Sequence, residues 1–262
     1  MTKFRGRFVL MVLMALCLWT AQALASSVQW MDGFETSPVG EFPTSNWTNS
    51  GNTTAYVTNT IQESGNNSIY LYGLISQDWA AVASRQLAYA PDLLFEFDVR
   101  NGSEPLDGGL HQVYGAVSLA TGPSWTTYVR GLIGFGSDGL IHGPGTGGEL
   151  SGPDLGTYTA GTWYDVKIAY DVVSPSTVSL SYWINGSFEG TYSEASTANE
   201  RSIAYLELAS GAGSAWFDNV SVTTATGVPE PSTVLLLGFG LVGLALSKAL
   251  RRGVRAIRGK VG

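Results

Sequence analysis

Residues 161–192 read GTWYDVKIAYDVVSPSTVSLSYWINGSFEGTY. Two runs in this stretch alternate between apolar and polar side chains, which is the two-residue period of a strand with one buried face. The pair Asn185-Gly186 favours a tight turn, and another strand-like run follows it. The stretch therefore predicts consecutive antiparallel strands. Their inward positions are Tyr164, Val166, Ile168 and Tyr170 in the first run, and Val178, Leu180, Tyr182 and Ile184 in the second.

The same alternation recurs along residues 26–224. In LLFEFDVR, residues 93–100, the odd-numbered positions are apolar and the even-numbered ones from 96 onward are charged. No segment of this body shows the 3.6-residue period of a helix, so we predict an all-β, antiparallel jelly roll or β-sandwich. The glycine-rich stretch between Gly136 and Gly161 predicts a long loop. Further strands are predicted near 55–60, 67–73, 79–88, 112–120, 127–135, 202–209 and 215–223.

The body resembles the laminin-G and concanavalin-like (legume-lectin) jelly rolls. These domains often show a tryptophan-containing strand, a Tyr-Asp strand end and a strand that closes in Asn-Gly, as residues 161–192 do. WMDGFET (30–36) and AWFDNVSV (215–222) resemble the first and last strands of such domains, which pair with each other. The resemblance implies a jelly roll with paired terminal strands.

Residues 1–25 have the organisation of a secretory signal peptide. Three bases precede an apolar run over residues 8–19. Ala23 and Ala25 supply the small residues that signal peptidase reads, which predicts cleavage before Ser26. Cys17, the single cysteine, would leave with this segment, so the mature protein is expected to contain no thiol and no disulfide.

The other end combines an extended motif, an apolar run and a basic tail. Pro229-Glu230-Pro231 lies in a linker over 225–232 and cannot join a helix or a sheet ladder. Residues 233–250 predict a transmembrane helix in the inner membrane. Residues 251–262 are basic, which places them on the cytoplasmic side by the positive-inside rule.

This end resembles the PEP-CTERM sorting signal of Gram-negative bacteria. The matching parts are Val228 to Ser232, the apolar run with spaced glycines, and Arg251-Arg252. The resemblance implies an exosortase as processing partner, acting on Pro229, Glu230 and Pro231, and a link to exopolysaccharide. It implies a protein that is exported, anchored in the membrane at least transiently, and then found at the cell surface or in the extracellular matrix.

The charge of the body excludes nucleic acid as a partner. Between residues 27 and 224 there are 5 Lys and Arg against 20 Asp and Glu, a net charge of −15, which repels phosphate backbones. Acid-rich surfaces can bind calcium, but no calcium-binding motif is present. His111 and His142, the two histidines, lie outside any metal or nucleophile motif. We therefore predict no metal site and no cofactor, with calcium left open.

One pair of carboxylates resembles part of a catalytic motif. Jelly-roll glycosidases of the laminarinase type carry Glu-x-Asp followed by another glutamate, and Glu96-Phe97-Asp98 is similar to the first part. The third carboxylate is missing, because Arg100 and Asn101 occupy its place. We therefore predict no catalytic residues, with the acids on the solvent face of a strand.

Trp163 and Trp183 fall on the outward positions of their strands, together with Asp165. Sugar rings stack on exposed aromatic planes and nearby carboxylates accept hydrogen bonds from their hydroxyls, so these three residues form a candidate sugar platform. Alternatively, one or both rings lie under a loop. The body is thus predicted to be a carbohydrate-binding or structural module without enzymatic activity. The alternatives are a divergent jelly-roll glycan hydrolase or lyase, and a matrix protein without a ligand.

Overall fold

The structure is a computed structural model. It describes residues 27–51, 54–74, 81–103, 113–144, 150, 152–196, 199–211 and 213–224. The described strands are β1 (Ser27–Asp32), β2 (Thr48–Asn49), β3 (Thr54–Thr58), β4 (Ser68–Gly73), β5 (Ala81–Gln86), β6 (Asp92–Asn101), β7 (Val113–Ala120), β8 (Tyr128–Gly136), β9 (Leu140–His142), β10 (Asp154–Thr157), β11 (Trp163–Ser174), β12 (Thr177–Ile184), β13 (Ser187–Ala195), β14 (Tyr205–Ser210) and β15 (Gly213–Thr224).

These strands form two antiparallel sheets packed face to face. Sheet A has the order β13-β12-β11-β6-β15-β4-β3, and β1 also pairs with β15. Sheet B has the order β10-β9-β8-β7-β14-β5-β2. The only helices in the described ranges are two single 3-10 turns, Trp125–Thr127 and Glu200–Ser202. The prediction of an all-β antiparallel sandwich is confirmed.

The core lies between the sheets and follows the predicted alternation. Leu93, Phe95 and Val99 of β6 are fully buried, and Phe97 is almost so. The predicted inward residues of β11 and β12 are buried as well. Successive strand residues point to opposite faces, so the positions between them form the outer face of sheet A, which is turned away from sheet B.

The terminal strands pair as the resemblance implied. β1 runs antiparallel to β15, with Ser27 opposite Thr224 and Asp32 opposite Val220. Trp30 and Trp47 meet edge to face at 5.8 Å between ring centroids, and the Arg85 guanidinium lies 4.1 Å from the Trp30 ring. Arg85 also forms an ion pair with Asp32 at 2.6 Å, so this cluster fastens β1 to β5 of the other sheet.

A buried polar network joins the two sheets. Arg130 of β8 and Glu200 form an ion pair at 2.7 Å with both side chains only 1 % exposed. Tyr170 of β11 donates a hydrogen bond to Glu200 at 2.5 Å, and Tyr182 of β12 donates one to the carbonyl of Leu132 at 2.8 Å. These contacts fix how the sheets stack, since a buried charge or hydroxyl without a partner is costly.

The loop predicted between Gly136 and Gly161 contains two short strands, so that prediction was wrong in part. β9 pairs with the end of β8, and β10 pairs with β9. These strands have only three and four residues, which is too short for an alternating pattern to be recognised. They extend sheet B at one edge.

Residues Ser26–Ala225 form one compact unit, and every strand pairing described above lies inside it. The predicted signal peptide with Ala23, Ala25 and Ser26, the Pro229-Glu230-Pro231 motif and the predicted transmembrane helix lie outside the described residues. Within the described ranges, no helix has the length and apolar character needed to cross a bilayer.

Candidate functional site

The outer face of sheet A carries a row of four aromatic side chains and one arginine that crosses five of its strands. The register places Trp163 opposite Arg100, Arg100 opposite Trp216, Trp216 opposite Tyr70, and Tyr70 opposite Tyr56. We call these five residues the aromatic row. Each of their side chains is partly exposed.

Close contacts hold most of this row together. The Tyr56 and Tyr70 rings lie 5.0 Å apart, and the Tyr70 and Trp216 rings 5.1 Å apart. The Arg100 guanidinium lies 5.5 Å from the Trp216 ring centroid, a cation–π contact. Trp163 contacts no other described aromatic ring. The row is thus a packed ridge with Trp163 at its β11 end.

Three aspartates lie beside the aromatic row. Asp98 of β6 stands directly opposite Asp165 of β11 on one side and Asp218 of β15 on the other. We call these three residues the acidic row. Asp165 is exposed, Asp98 is partly buried and Asp218 is fully buried. Only Asp165 and Asp98 are therefore open to solvent.

Hydrogen bonds from the backbone satisfy the buried member of the acidic row. The Asp218 carboxylate accepts from the backbone N–H groups of Glu63, Ser64 and Asn219 at 2.7–3.2 Å. The Asn219 side-chain amide donates to Asp98 at 2.7 Å. Asn219 has a φ of 49°, in the left-handed region that asparagine tolerates better than most residues. Asn219 thus links the two aspartates, since its backbone N–H donates to Asp218 and its side-chain amide donates to Asp98.

Asp98 has the most perturbed electrostatic environment on this face. Burial, the largest effect, and the negative charges of Asp165, Glu63 and Asp218 together raise the pKa of Asp98 to about 6, against the opposing effect of the Asn219 hydrogen bond. Asp98 thus titrates near neutral pH, whereas an ordinary aspartate titrates near 4. Perturbed carboxyl groups of this kind are commonest at functional sites.

A second aromatic pair lies on the far side of the acidic row. Trp183 of β12 contacts Phe188 of β13 at 5.3 Å between centroids, and Phe188 is 57 % exposed. Lys167 lies 6.0 Å from the Trp183 ring and forms an ion pair with Glu96 at 3.0 Å. We call Trp183 and Phe188 the tryptophan pair. The short aspartates therefore lie between two bands of longer side chains.

The platform residues predicted from the sequence lie on one face, but the two tryptophans are not in contact with each other. Trp163 and Trp183 belong to the neighbouring strands β11 and β12. Trp183 stands opposite Lys167, four residues beyond Trp163 along β11, which separates the two tryptophans by about 13 Å. Asp165 lies between them. The tryptophans thus flank the acidic row from opposite sides.

Sequence reasoning missed the carboxylate partner of Asp98. It searched along one strand, where Arg100 follows Asp98, whereas the neighbouring carboxylates Asp165 and Asp218 come from the adjacent strands. Tyr56, Tyr70 and Trp216 were missed for the same reason, because a row that crosses strands depends on sheet order. The AWFDNVSV segment was the available signal, since it places Trp216 and Asp218 two residues apart on one face.

The outer face of sheet B has a different character. Glu207 of β14 is 2 % exposed and accepts hydrogen bonds from Ser84 at 3.3 Å and Ser118 at 3.2 Å. Burial raises its pKa to about 7, against the opposing effect of these hydrogen bonds.

The two histidines are predicted from the sequence to lie outside any metal motif. His142 contacts Asp138 at 3.1 Å and Asp154 at 3.4 Å. His111 lies outside the described residues, and no cluster suited to a metal ion occurs within them.

Comparison with known proteins identifies the end of the chain. Residues 227–252 match the PEP-CTERM protein-sorting motif. This confirms the resemblance noted from Pro229-Glu230-Pro231 and the basic tail. A PEP-CTERM motif implies recognition by an exosortase, export and membrane-associated sorting. The match does not extend into the body of the protein, and no curated protein sequence matches the chain.

Solved structures confirm the jelly-roll fold of the body. A carbohydrate esterase from the Shiga toxin-encoding bacteriophage phi24B matches with a TM-score of 0.52 and 10 % identity, covering 76 % of this chain and 99 % of that one. The cellulose induced protein Cip1 matches at 0.51 and 17 %, covering 74 % and 96 %. An endo-β-1,4-glucuronan lyase from the fungus Trichoderma reesei matches at 0.50 and 11 %, covering 76 % and 96 %. At these identities the likeness concerns the fold alone.

Proposed function

We propose that this protein is exported, sorted by an exosortase, and binds carbohydrate through the outer face of sheet A without cleaving it. One observation carries the proposal: the aromatic row, the acidic row and the tryptophan pair occupy neighbouring positions on a single face. Exopolysaccharide outside the cell is the proposed partner, because an exported protein with a sorting signal meets it there.

The chemistry of this face suits a sugar. Aromatic side chains combine a large apolar surface with a polar edge in Tyr and Trp. Carboxylates accept hydrogen bonds only, and guanidinium groups donate only, so Asp98, Asp165 and Arg100 together could pair with hydroxyls acting in either sense. Binding sites commonly combine such an apolar surface with a few polar groups that fix orientation.

A second candidate function is a divergent glycan hydrolase or lyase. The observation that favours it is the Asp98–Asp165 pair. Directly opposed residues in an antiparallel pair have Cα atoms about 4.5–5.5 Å apart, and retaining glycosidases hold two carboxyl groups about 5–5.5 Å apart. The raised pKa of Asp98 would suit a general acid. Both carboxylates nevertheless project from one face, whereas glycosidase carboxylates flank the scissile bond, so binding remains the preferred function.

The test uses residues 26–225, because all described strand pairings lie within them. This protein is applied to an array of polysaccharides, and each ligand found is incubated with it and assayed for new reducing ends and unsaturated uronates. We expect binding without cleavage. Trp163→Ala with Trp183→Ala should weaken binding at least tenfold. Tyr205→Ala, a partly exposed aromatic of sheet B, is the matched control and should bind normally.

Three outcomes would contradict the proposal. If the protein binds no polysaccharide on the array, the proposed carbohydrate binding is wrong. Normal binding by the double tryptophan variant would place any site elsewhere. Cleavage that disappears in Asp98→Asn would favour the hydrolase or lyase. Thermal melts of all variants separate a loss of binding from a loss of folding.

A further inference from the structure

We infer that the outer face of sheet A selects uncharged polysaccharides and excludes chains built of uronic acids. This inference rests on the proposed function and specifies the ligand class for the same site. It follows from the charges that surround the aromatic row and the tryptophan pair.

Along β6, β11 and β15, the three central strands of this face, carboxylates outnumber cations by three to one. The outward positions of β6, β11 and β15 supply six acids and two bases. The acids are Asp92, Glu96, Asp98, Asp165, Asp171 and the buried Asp218; the bases are Arg100 and Lys167. A uronate residue brought to this surface would carry a further negative charge, which the carboxylates already present there would repel.

The acids on this face lie close enough to raise one another's pKa values. Asp171 stands directly opposite Asp92, and its pKa is raised by burial and by the Asp92 charge. The pKa of Asp98 is raised by burial and then by its acidic neighbours. Like charges directly opposite each other in a sheet are unfavourable, so an arriving carboxylate would meet the same repulsion.

The two cations offer an acidic sugar little compensation. Lys167 is already paired with Glu96 at 3.0 Å. Arg100 forms no ion pair with a described carboxylate, and its Nε is buried without a hydrogen-bond partner. It lies on the same strand face as Asp98, about 7 Å away along β6. Arg100 is thus one donor-rich group beside an excess of acids, which suits sugar hydroxyls better than a row of carboxylates.

The charge of the whole body acts in the same direction. Residues 27–224 carry a net charge of −15, so a polyanion is repelled before it reaches the face. An uncharged chain meets no such barrier. Its hydroxyls could donate to Asp98 and Asp165 and accept from Arg100, while its ring faces lie on the aromatic side chains.

The test compares polysaccharides that differ only in charge. Alginate, polygalacturonate and glucuronan are each applied to residues 26–225 together with their carboxyl-reduced, uncharged forms, alongside neutral glucans, mannans, galactans and xylans. We expect binding only among uncharged chains, with dissociation constants that change less than twofold between 50 and 500 mM NaCl. For any backbone bound, the uronate form should bind at least tenfold more weakly.

A double variant tests whether the acids of this face cause the preference for uncharged polysaccharides. Asp98→Asn with Asp165→Asn preserves side-chain volume and removes two charges, so it should reduce the preference for the uncharged form at least threefold. Asp154→Asn removes the charge of an exposed acid of β10 in sheet B and should leave the preference unchanged. Thermal melts verify that each variant folds.

The outcomes separate the two claims. Uronate forms that bind as well as their reduced forms, with affinity that falls as salt rises, would overturn the inference and leave carbohydrate binding intact. An unchanged preference in the double asparagine variant would also overturn it. If no polysaccharide binds, charged or uncharged, carbohydrate binding itself is contradicted, and this inference is contradicted with it.

Discussion

Glu207 is a carboxyl group held in the centre of sheet B. It lies between Ser84 and Ser118 of the two neighbouring strands and is almost inaccessible to water. Burial favours the neutral acid and raises its pKa to about 7, although the two serine hydrogen bonds oppose this shift. Stability must therefore depend on pH through this single side chain.

We predict that Glu207→Gln removes a pH-dependent loss of stability. The pKa of Glu207 is higher in the folded state than in the unfolded chain, so its contribution is full below about pH 4.5 and is lost as pH rises through about 7. The variant should gain stability relative to wild type across this window, by about 3 kcal/mol at most. Denaturant titrations at pH 4.5, 6 and 8 would measure this difference.

The exposed Glu189 provides the control for that measurement. Glu189→Gln should follow the wild-type pH profile, because Glu189 is a solvent-exposed residue of β13. If the stability difference between Glu207→Gln and wild type is the same at all three pH values, Glu207 does not titrate as its burial requires.

At the residue scale, the sequence predicted which face of the sheet a side chain occupies better than it predicted which residues lie beside it. Alternation placed Trp163, Trp183 and Asp165 on outward positions, and the structure finds them there. It could not reveal that Asp98 faces Asp165, because residues far apart in the chain become neighbours only through strand order and register. The contacts of Asp98 therefore had to come from the structure.

Among the elements, the β12–β13 hairpin places the tryptophan pair. Asn185 and Gly186 have φ values of 51° and 76°, the left-handed conformations that a type I′ turn requires. The Asn185 side chain accepts a hydrogen bond from the Asp165 backbone N–H at 3.0 Å. The turn thus connects the strand of Trp183 with the strand of Phe188 and with the acidic row.

We predict that Asn185→Ala destabilises the protein by about 1–2 kcal/mol, because alanine tolerates a left-handed conformation poorly and cannot accept the Asp165 hydrogen bond. The melting temperature should fall by about 2–8 °C for a domain of this size. Ser187→Ala, one position beyond the turn, should change it by less than 1 kcal/mol. An unchanged melting temperature in Asn185→Ala would show that the turn does not need asparagine.

At the element scale, the long strands were predictable and the short ones were not. β6, β11 and β12 have eight or more residues with a clear period. β9 and β10 lie in a glycine-rich segment and are held mainly by pairing with β8 and with each other. Their existence depends on a sheet edge that the local sequence does not encode.

For the whole molecule, the PEP-CTERM motif at residues 227–252 implies export and membrane-associated sorting. We predict that residues 224–262, fused to a secreted reporter in a host with an exosortase, direct its processing and release. Pro229→Ala with Glu230→Ala and Pro231→Ala should abolish both, because a PEP-CTERM motif implies recognition by an exosortase. Size on gels and distribution between membrane and medium provide the measurement.

A change just outside the matched motif is the control. Thr226→Ala should leave processing unchanged, since the match begins at residue 227. If the triple alanine variant is processed and released like the unaltered tail, the segment is not read as a PEP-CTERM signal.

At this scale, the sequence was most informative about the C-terminal motif and the fold class. The motif at residues 227–252 is local and could be recognised directly. The face that would bind a ligand is assembled from seven strands and becomes visible only in the folded sheet. Fold comparisons at 10–17 % identity add the architecture but no ligand.

The central claim is that carbohydrate binds on the outer face of sheet A. Its most direct test is an NMR titration of ¹⁵N-labelled residues 26–225 with an uncharged polysaccharide fragment, following the tryptophan indole N–H signals. We expect the signals of Trp163, Trp183 and Trp216 to shift together at saturation, while that of Trp47, buried between the sheets, stays in place. Shifts of backbone amide signals confined to β7, β8 and β14 of sheet B, with these three indole signals unmoved, or no shifts with any fragment, would contradict the claim.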